Sequence, residues 1–486
     1  MAADRALVKI AGSDNVIPGD KVPVLYLIDQ GFAPPVTPEC LVRPSSMEQV
    51  HAIARWANET GTHLVPLSSG PPHFRGDTVP SGKGAVIVDL SGMKKILRVD
   101  RLNRVCMVEP GVTFGELIPA LEKEDLAPLL TLSPRATKSV LAAWLEREPV
   151  TIPRFHWEAQ DPLYCVEVVY GNGDMFRTGS AFGPGNLEEQ WAAGRAQVRG
   201  MGPSQVDFTR LLQGAQGTLG IVTWGTMKCQ PLPKVRETCL IPSDSLENLT
   251  GLARRLLWKK LGEEMFIVNS LTLASLMHRE AGIIRSSAAK LPPWIMVYGI
   301  SGAGMLPQEK VDYQREDSIE EAGKFGLKLE KSLHKINAGD VEKVMLAPCD
   351  EPYWKLRYRG NCLDILFLTT LDRAPGFARQ FVSLAGKTGF PAADTGVYIQ
   401  PLAQGANCHV EFNLMFDPAD KSAAEKVSRL ESEGAHELYK SGAFFSRPYG
   451  PWAKFAFGEE QTIKALKHVK QIFDPNGIMN PGKLCY

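Results

Sequence analysis

No stretch of this 486-residue sequence approaches the roughly 20 consecutive apolar residues that a membrane-spanning helix needs, although 44% of the residues are hydrophobic. Charge of one sign is also lacking: 54 Lys and Arg stand against 54 Asp and Glu, a formal net charge of zero. That balance removes the electrostatic case for nucleic acid, an anionic membrane surface or an acidic partner. Residues 1–9 carry early charges and no apolar core, so no signal peptide is expected and the chain reads as soluble and cytoplasmic. The nine cysteines are scattered singly, without CxxC spacing. This speaks against an iron–sulfur cluster or zinc ribbon and fits a reducing compartment in which thiols stay free.

What the chain does have is length for more than one core, so two domains are the expectation. From Val42 the text "VRPSSMEQVHAIARWANETGTHLVPL" reads strand, helix, strand. Ser45 or Ser46 is placed to cap a helix whose Val50, Ile53, Ala54 and Trp56 form one apolar stripe. A loop dense in Gly, Pro and Ser follows, then strand-like runs, with Gly171-Asn172-Gly173 as a hairpin turn. Pro231 and Pro233 mark a boundary. Beyond them helical patterns such as "SLENLTGLARRLLWKKLG" alternate with strands such as "CHVEFNLMF". These patterns predict an α+β protein: one domain over 1–235, a second of sheet and helices over 236–440, and a segment over 441–486 that returns to the first.

Four separated turns carry the cofactor chemistry: Ser68-Ser69-Gly70, Glu109-Pro110-Gly111, the run from Gly214 to Gly220, and Asn480-Pro481-Gly482. Glycine lets backbone N–H groups approach a pyrophosphate closely, and the hydroxyls of Ser68, Ser69 and Thr218 add donors. Any one of these is an ordinary surface turn; four together are what a dinucleotide requires.

In their order and spacing, "LVRPSSMEQV", "PLSSGPPHFRGD", "GAVIVDLSGMKKI", "VEPGVTFGEL", "QGTLGIVT" and "DPNGIMNPGKL" resemble the vanillyl-alcohol oxidase family. Its superfamily includes 4-cresol dehydrogenase and the glycolate and D-lactate dehydrogenases. The resemblance implies a two-part FAD-binding domain of the PCMH type beneath a cap of antiparallel sheet and helices. It places Pro66, Ser68, Ser69, Gly70, Pro110, Gly111, Ser133, Ser139, Gly217, Thr218, Gly220, Ile221, Val222 and Asn480 against FAD. Pro71 and Pro72 depart from the pattern, since proline has no N–H to offer a phosphate. His73 is the local candidate for covalent flavin attachment, but its offset from Gly70 differs, so a non-covalent role is expected. The segment "KSVLAAWLEREPVTIPRF" looks like the phenol-oxidising branch.

That branch holds its phenolate with two tyrosines and an arginine and carries an aspartate near the flavin. Here the matching positions are Phe74, Ser446 and Arg447, and the aspartate falls around Pro134-Arg135. An arginine kept without the tyrosines implies an anionic substrate gripped by the guanidinium fork. In "NCHVEFNLMFD", strand alternation sets His409 and Glu411 on one face, as in 2-hydroxy-acid dehydrogenases. The second metal-binding histidine of those enzymes falls on Leu402, so no complete metal site is expected. His409 is read as proton acceptor or hydrogen-bond donor to the substrate oxygen, oriented by Glu411. Tyr398 and Tyr449 are the candidates to replace the missing tyrosines, while Tyr353, Arg357, Tyr358 and Arg359 read either as the lining of an anion-accepting cavity or, the commoner pattern, as a helix that extends its arginines to water.

Three functions stay open: dehydrogenation of a phenolic or aryl-alkyl substrate, oxidation of a 2-hydroxy acid, and an electron-transferring flavin subunit of a complex. A homodimer and an electron-acceptor protein are expectations from the resemblance, and oxygen or protein as acceptor is not decided.

Overall fold

The computed structural model describes residues 2–76, 78–156, 161–203 and 207–486, with side chains from residue 5 onward. Residue 77 of the proline-rich loop and residues 157–160 lie outside the described residues. The first sheet has four strands in the order Val16–Pro18, Cys40–Val42, Val86–Asp89 and Leu64–Leu67. The last three run parallel, which requires a crossover, and helix Met47–Thr60 provides it. Ser46 is its N-cap, accepting from the Gln49 N–H, and Gly61 ends it at φ +67°. The helix buries Val50, Ile53, Ala54 and Ala57. Trp56, expected on this stripe, is only partly buried, because Ala57 one residue later takes the tighter position against the sheet.

A six-stranded sheet follows, built around the long strand Gly220–Pro231. Val105–Val108 pairs on one side and Leu163–Tyr170 on the other, both antiparallel. Residues 171–174 make the expected hairpin into Met175–Arg177. The third sheet is antiparallel throughout, in the order Val235–Ser243, Trp294–Gly302, Met265–Asn269, Thr395–Leu402, Asn407–Phe416 and Asn361–Thr369. Helices cover both of its faces. Met265 and Ile267 pack into a core with helices Leu246–Trp258 and Ala374–Thr388. Phe266 and Val268 pack into another with Ser270–Met277 and Ala338–Leu346. A strand buried on both faces reads as an unbroken apolar run, as "MFIV" does.

After helix Glu460–Phe473 the C-terminal tail crosses back to the first sheet. The Leu64 N–H donates to the Ile478 carbonyl and the Asn480 N–H to the Leu64 carbonyl, both at 2.8 Å. Gly171 sits against Asp474, whose carboxylate accepts from the Ile478 and Met479 N–H groups and from Lys470. The nine cysteines are free and all but Cys485 are buried. Among the described residues no helix is long and apolar enough to cross a membrane.

Candidate active site

One cavity of about 190 Å³ runs between the first two sheets and the third. Its first end is built from backbone turns and apolar side chains. Gly217 stands at φ +69°, and a Cβ there would meet Pro66 Cγ at 2.6 Å, so the turn closes on the 66–70 loop only as glycine. The Asn480 side-chain amide donates to the Gln216 carbonyl at 2.7 Å, and Thr218 Oγ1 donates to the Ala215 carbonyl at 2.6 Å. Ser139 fastens two more turns: its N–H donates to Ser69 Oγ at 3.0 Å and its hydroxyl to the Pro110 carbonyl at 2.5 Å. Gly111 packs under the Leu90, Ser91 and Met93 carbonyls, where a Cβ would come within 2.7 Å of each. Leu141, Leu145, Ile221 and Val222 form the apolar wall.

His73 Nε2 and Thr78 Oγ1 line this cavity and have no hydrogen-bond partner. A buried polar atom left unpaired costs about 1–3 kcal/mol, so the two mark where a polar ligand makes contact. Burial, reinforced by Arg135 and Lys138, pushes the His73 imidazole down to about 4 and keeps it neutral. An apolar slot for a flat ring, open space at Gly70 and these unpaired donors fit a flavin dinucleotide.

The other end is built from buried ions. Lys138 Nζ donates to both Glu146 oxygens at 3.0 and 2.9 Å and lies 3.4 Å from Glu148. Arg75 spans Glu146, Glu148 and Asp364 at 3.4, 3.7 and 3.6 Å. Lys355 Nζ sits between Asp364 at 2.6 Å and Glu411 at 2.5 Å. Glu411 also pairs with His409 Nε2 at 3.0 Å, and Arg447 Nη2 approaches His409 Nδ1 at 3.5 Å. Burial pushes the Glu148 carboxyl up, but Lys138 and Arg75 outweigh it and hold the group at about 2. Burial works against the Lys355 charge, yet Asp364 and Glu411 raise its pKa well above the usual lysine range. His409 is pushed down, chiefly by burial. Phe74, Tyr353 and Tyr449 complete the wall, with Phe74 and Tyr353 edge to face at 6.0 Å.

Of the residues expected on the cofactor, Pro66, Ser68, Ser69, His73, Pro110, Gly217, Gly220, Ile221 and Val222 line the cavity. Gly70, Gly111, Ser133, Ser139, Thr218 and Asn480 lie outside this lining; Gly111, Ser139, Thr218 and Asn480 brace the turns that do line it. The expected substrate residues lie elsewhere. His409, Glu411, Arg447 and Tyr398 are buried beyond the lining. His409 has both ring nitrogens engaged, Arg447 turns to His409 and to the Glu146 carbonyl at 3.5 Å, and the Tyr398 hydroxyl donates to Gln400 at 2.8 Å. They form a layer behind Lys355. Ser446 is likewise off the wall, while Tyr449 is on it.

The expected helix over Tyr353 to Arg359 is also corrected. Only Trp354–Leu356 makes a short 3-10 turn. Tyr353 and Lys355 thereby face the cavity, whereas Arg357 donates to the Pro352 and Leu276 carbonyls and Arg359 to Asp394. Arg75, Arg135, Lys138, Glu146, Glu148, Lys355 and Asp364 were not singled out from sequence. The charged run around Glu146 and Glu148 was the available signal.

A twin-glycine cradle, an apolar slot and an enclosed ionic end define a flavin-dependent oxidoreductase. Residues 38–179 match the FAD binding domain family and residues 449–484 the C-terminal domain of FAD linked oxidases. These matches mark the chain as an FAD-linked oxidoreductase with FAD as its cofactor. It is 23% identical over 495 residues to the glycolate oxidase subunit GlcD of Bacillus subtilis (strain 168), covering 98% of this chain and 95% of that one. It is 30% identical over 185 residues to the flavoprotein subunit of 4-cresol dehydrogenase [hydroxylating] of Pseudomonas putida, covering 38% of this chain and 33% of that one. Its fold matches the crystal structure of p-cresol methylhydroxylase with a TM-score of 0.85 at 19% identity, covering 100% and 96% of the two chains.

Proposed function

We propose that this enzyme oxidises a C–H bond on a small phenolic or aryl-alkyl alcohol, with FAD held non-covalently by the first end of the cavity. The observation that carries this reading is the second end, where Phe74, Tyr353, Tyr449 and Lys355 line one cavity. Aromatic walls suit an aromatic ring, and a fixed cation favours the ionised form of the substrate hydroxyl, from which loss of hydride is easier. FAD, when bound, supplies the hydride acceptor. Pro66, Ser68, Ser69, Gly217 and Gly220 would hold it, with His73 as a neutral neighbour. Lys355 keeps its proton between Asp364 and Glu411 and offers a charge that needs no rearrangement. His409, Glu411 and Arg447 position that lysine, and the enclosing third sheet excludes water. In this reading 1–235 and 441–486 serve the cofactor and 236–440 the substrate, in the cytoplasm, with electrons passing on to oxygen or an acceptor protein and with a homodimer as the working form.

Oxidation of a 2-hydroxy acid is the second reading, favoured by the match to the glycolate oxidase subunit along 98% of the chain. Anaerobic mixing of the flavin-loaded protein with 4-hydroxybenzyl alcohol, D-lactate and glycolate separates the two by which compound bleaches the flavin. Bleaching by D-lactate or glycolate alone would replace the first reading with the second. Bleaching by none of them, together with reduction by a protein redox partner, would make the chain an electron-transferring subunit.

A further inference from the structure

Arg135 is a cation of the cavity wall that, among the described residues, has no counter-ion. Arg75, Lys138 and Lys355 each pair with carboxylates. Among the described residues no carboxylate lies within ion-pair distance of Arg135. Its recorded side-chain contacts are a long hydrogen bond to the Gly70 carbonyl at 3.4 Å and the face of Phe74, 5.5 Å from guanidinium carbon to ring centre. Yet it is only 5% exposed and lines the cavity. A buried guanidinium without a partner costs several kcal/mol unless a ligand supplies the charge.

The backbone leaves it little freedom to escape to water. Cys349 N–H donates to the Pro134 carbonyl at 2.6 Å and Ala136 N–H to the Cys349 carbonyl at 3.0 Å, so the residues on both sides of Arg135 are tied to the segment leading to Tyr353. The Tyr353 ring packs edge to face on the same Phe74 that Arg135 covers, and burial raises its phenol pKa and keeps it a neutral donor. Tyr353, Glu351, Glu148 and Glu146 act on Arg135 only at longer range, and burial outweighs them.

We infer that Arg135, with Tyr353 beside it, is the site for a carboxylate on the substrate. A guanidinium fork matches the two oxygens of a carboxylate, and a charge-assisted pair of this kind is about twice as strong as a neutral one. Arg447, the arginine that sequence comparison put forward, is turned away from the cavity. This inference rests on the proposed function for the place of the substrate, but it specifies the substrate's chemistry: a carboxylic acid, either aromatic or a short hydroxy acid.

The test is a titration of the flavin-loaded protein with benzoate, oxalate and neutral benzamide, following the change in the visible flavin spectrum. Benzoate or oxalate binds the unaltered protein. R135Q weakens that binding about 100-fold, R135K recovers part of it, and benzamide binding moves by less than about twofold. Benzoate binding alone points to an aromatic acid and oxalate binding alone to a hydroxy acid. Three results overturn the inference: neither anion binds, R135Q binds both as well as the unaltered protein does, or R135Q and R135K both lose flavin, which would assign Arg135 to the cofactor. If 4-hydroxybenzyl alcohol bleaches the flavin while no carboxylate binds, the inference fails and the proposed function stands. If carboxylate binding depends on Arg135 while none of the alcohols or hydroxy acids bleaches the flavin, the reverse holds.

Discussion

The two ends of the cavity are built from different materials. The cofactor end is made of backbone: Gly217, Gly220, Gly111 and Pro66 set its shape, and Ser139, Thr218 and Asn480 fasten one turn to the next. The ionic end, where we propose the substrate binds, is made of long charged side chains whose positions depend on one another through Lys355, Asp364, Glu411 and His409. A turn built from backbone tolerates changes in neighbouring side chains and fails when a Cβ is forced into it. An ionic cluster behaves the other way, since removing one partner strands the others in a medium that solvates them poorly.

The largest effect follows from breaking the ionic end at its centre. K355M leaves Asp364 and Glu411 buried without their ammonium and is expected to cost about 3–5 kcal/mol, read from urea unfolding. His73 marks the boundary between the two ends through pH. Its pKa is about 4 when folded and about 6.5 when unfolded, so the unfolded chain binds the proton first and stability falls as pH drops through that window. The slope is about 1.4 kcal/mol per pH unit, about 3 kcal/mol in all, with His409 adding a slope of the same sign. In H73F the His73 share disappears from a plot of unfolding free energy against pH. At the cofactor end, G217A places a Cβ against Pro66 in a left-handed turn. It is expected to cost about 2 kcal/mol and to lower the flavin content of the purified protein. The smallest change comes from the layer behind the wall. Y398F removes one buried hydrogen bond to Gln400 and costs about 1 kcal/mol, with the flavin spectrum unchanged.

This contrast also explains what could be read in advance. The crossover of the first sheet, the Gly171 hairpin and the glycine turns are local, since each depends on a few adjacent residues whose backbone preferences are visible in the text. The ionic end is assembled from positions 75, 138, 146 and 148, in loops around helix Val140–Leu145 and after the first sheet, and positions 355, 364, 409 and 411 on or beside the third sheet, whose register sets Glu411 opposite Leu366 and Asn413 opposite Asp364. Strand alternation correctly joined His409 to Glu411, but nothing along the chain tells that Lys355 lies between Glu411 and the cavity. The motif points to Arg447 because it reports position in the chain, whereas the place of Arg135 on the cavity wall depends on a loop held by Cys349.

The account rests on FAD lying non-covalently in the first end of the cavity, and the visible spectrum of the purified protein before and after acid precipitation tests it most directly. A yellow protein that releases its colour into the supernatant is the predicted result. Colour kept in the pellet would contradict the neutral, unattached His73, and a colourless protein unable to take up added FAD would contradict the whole account.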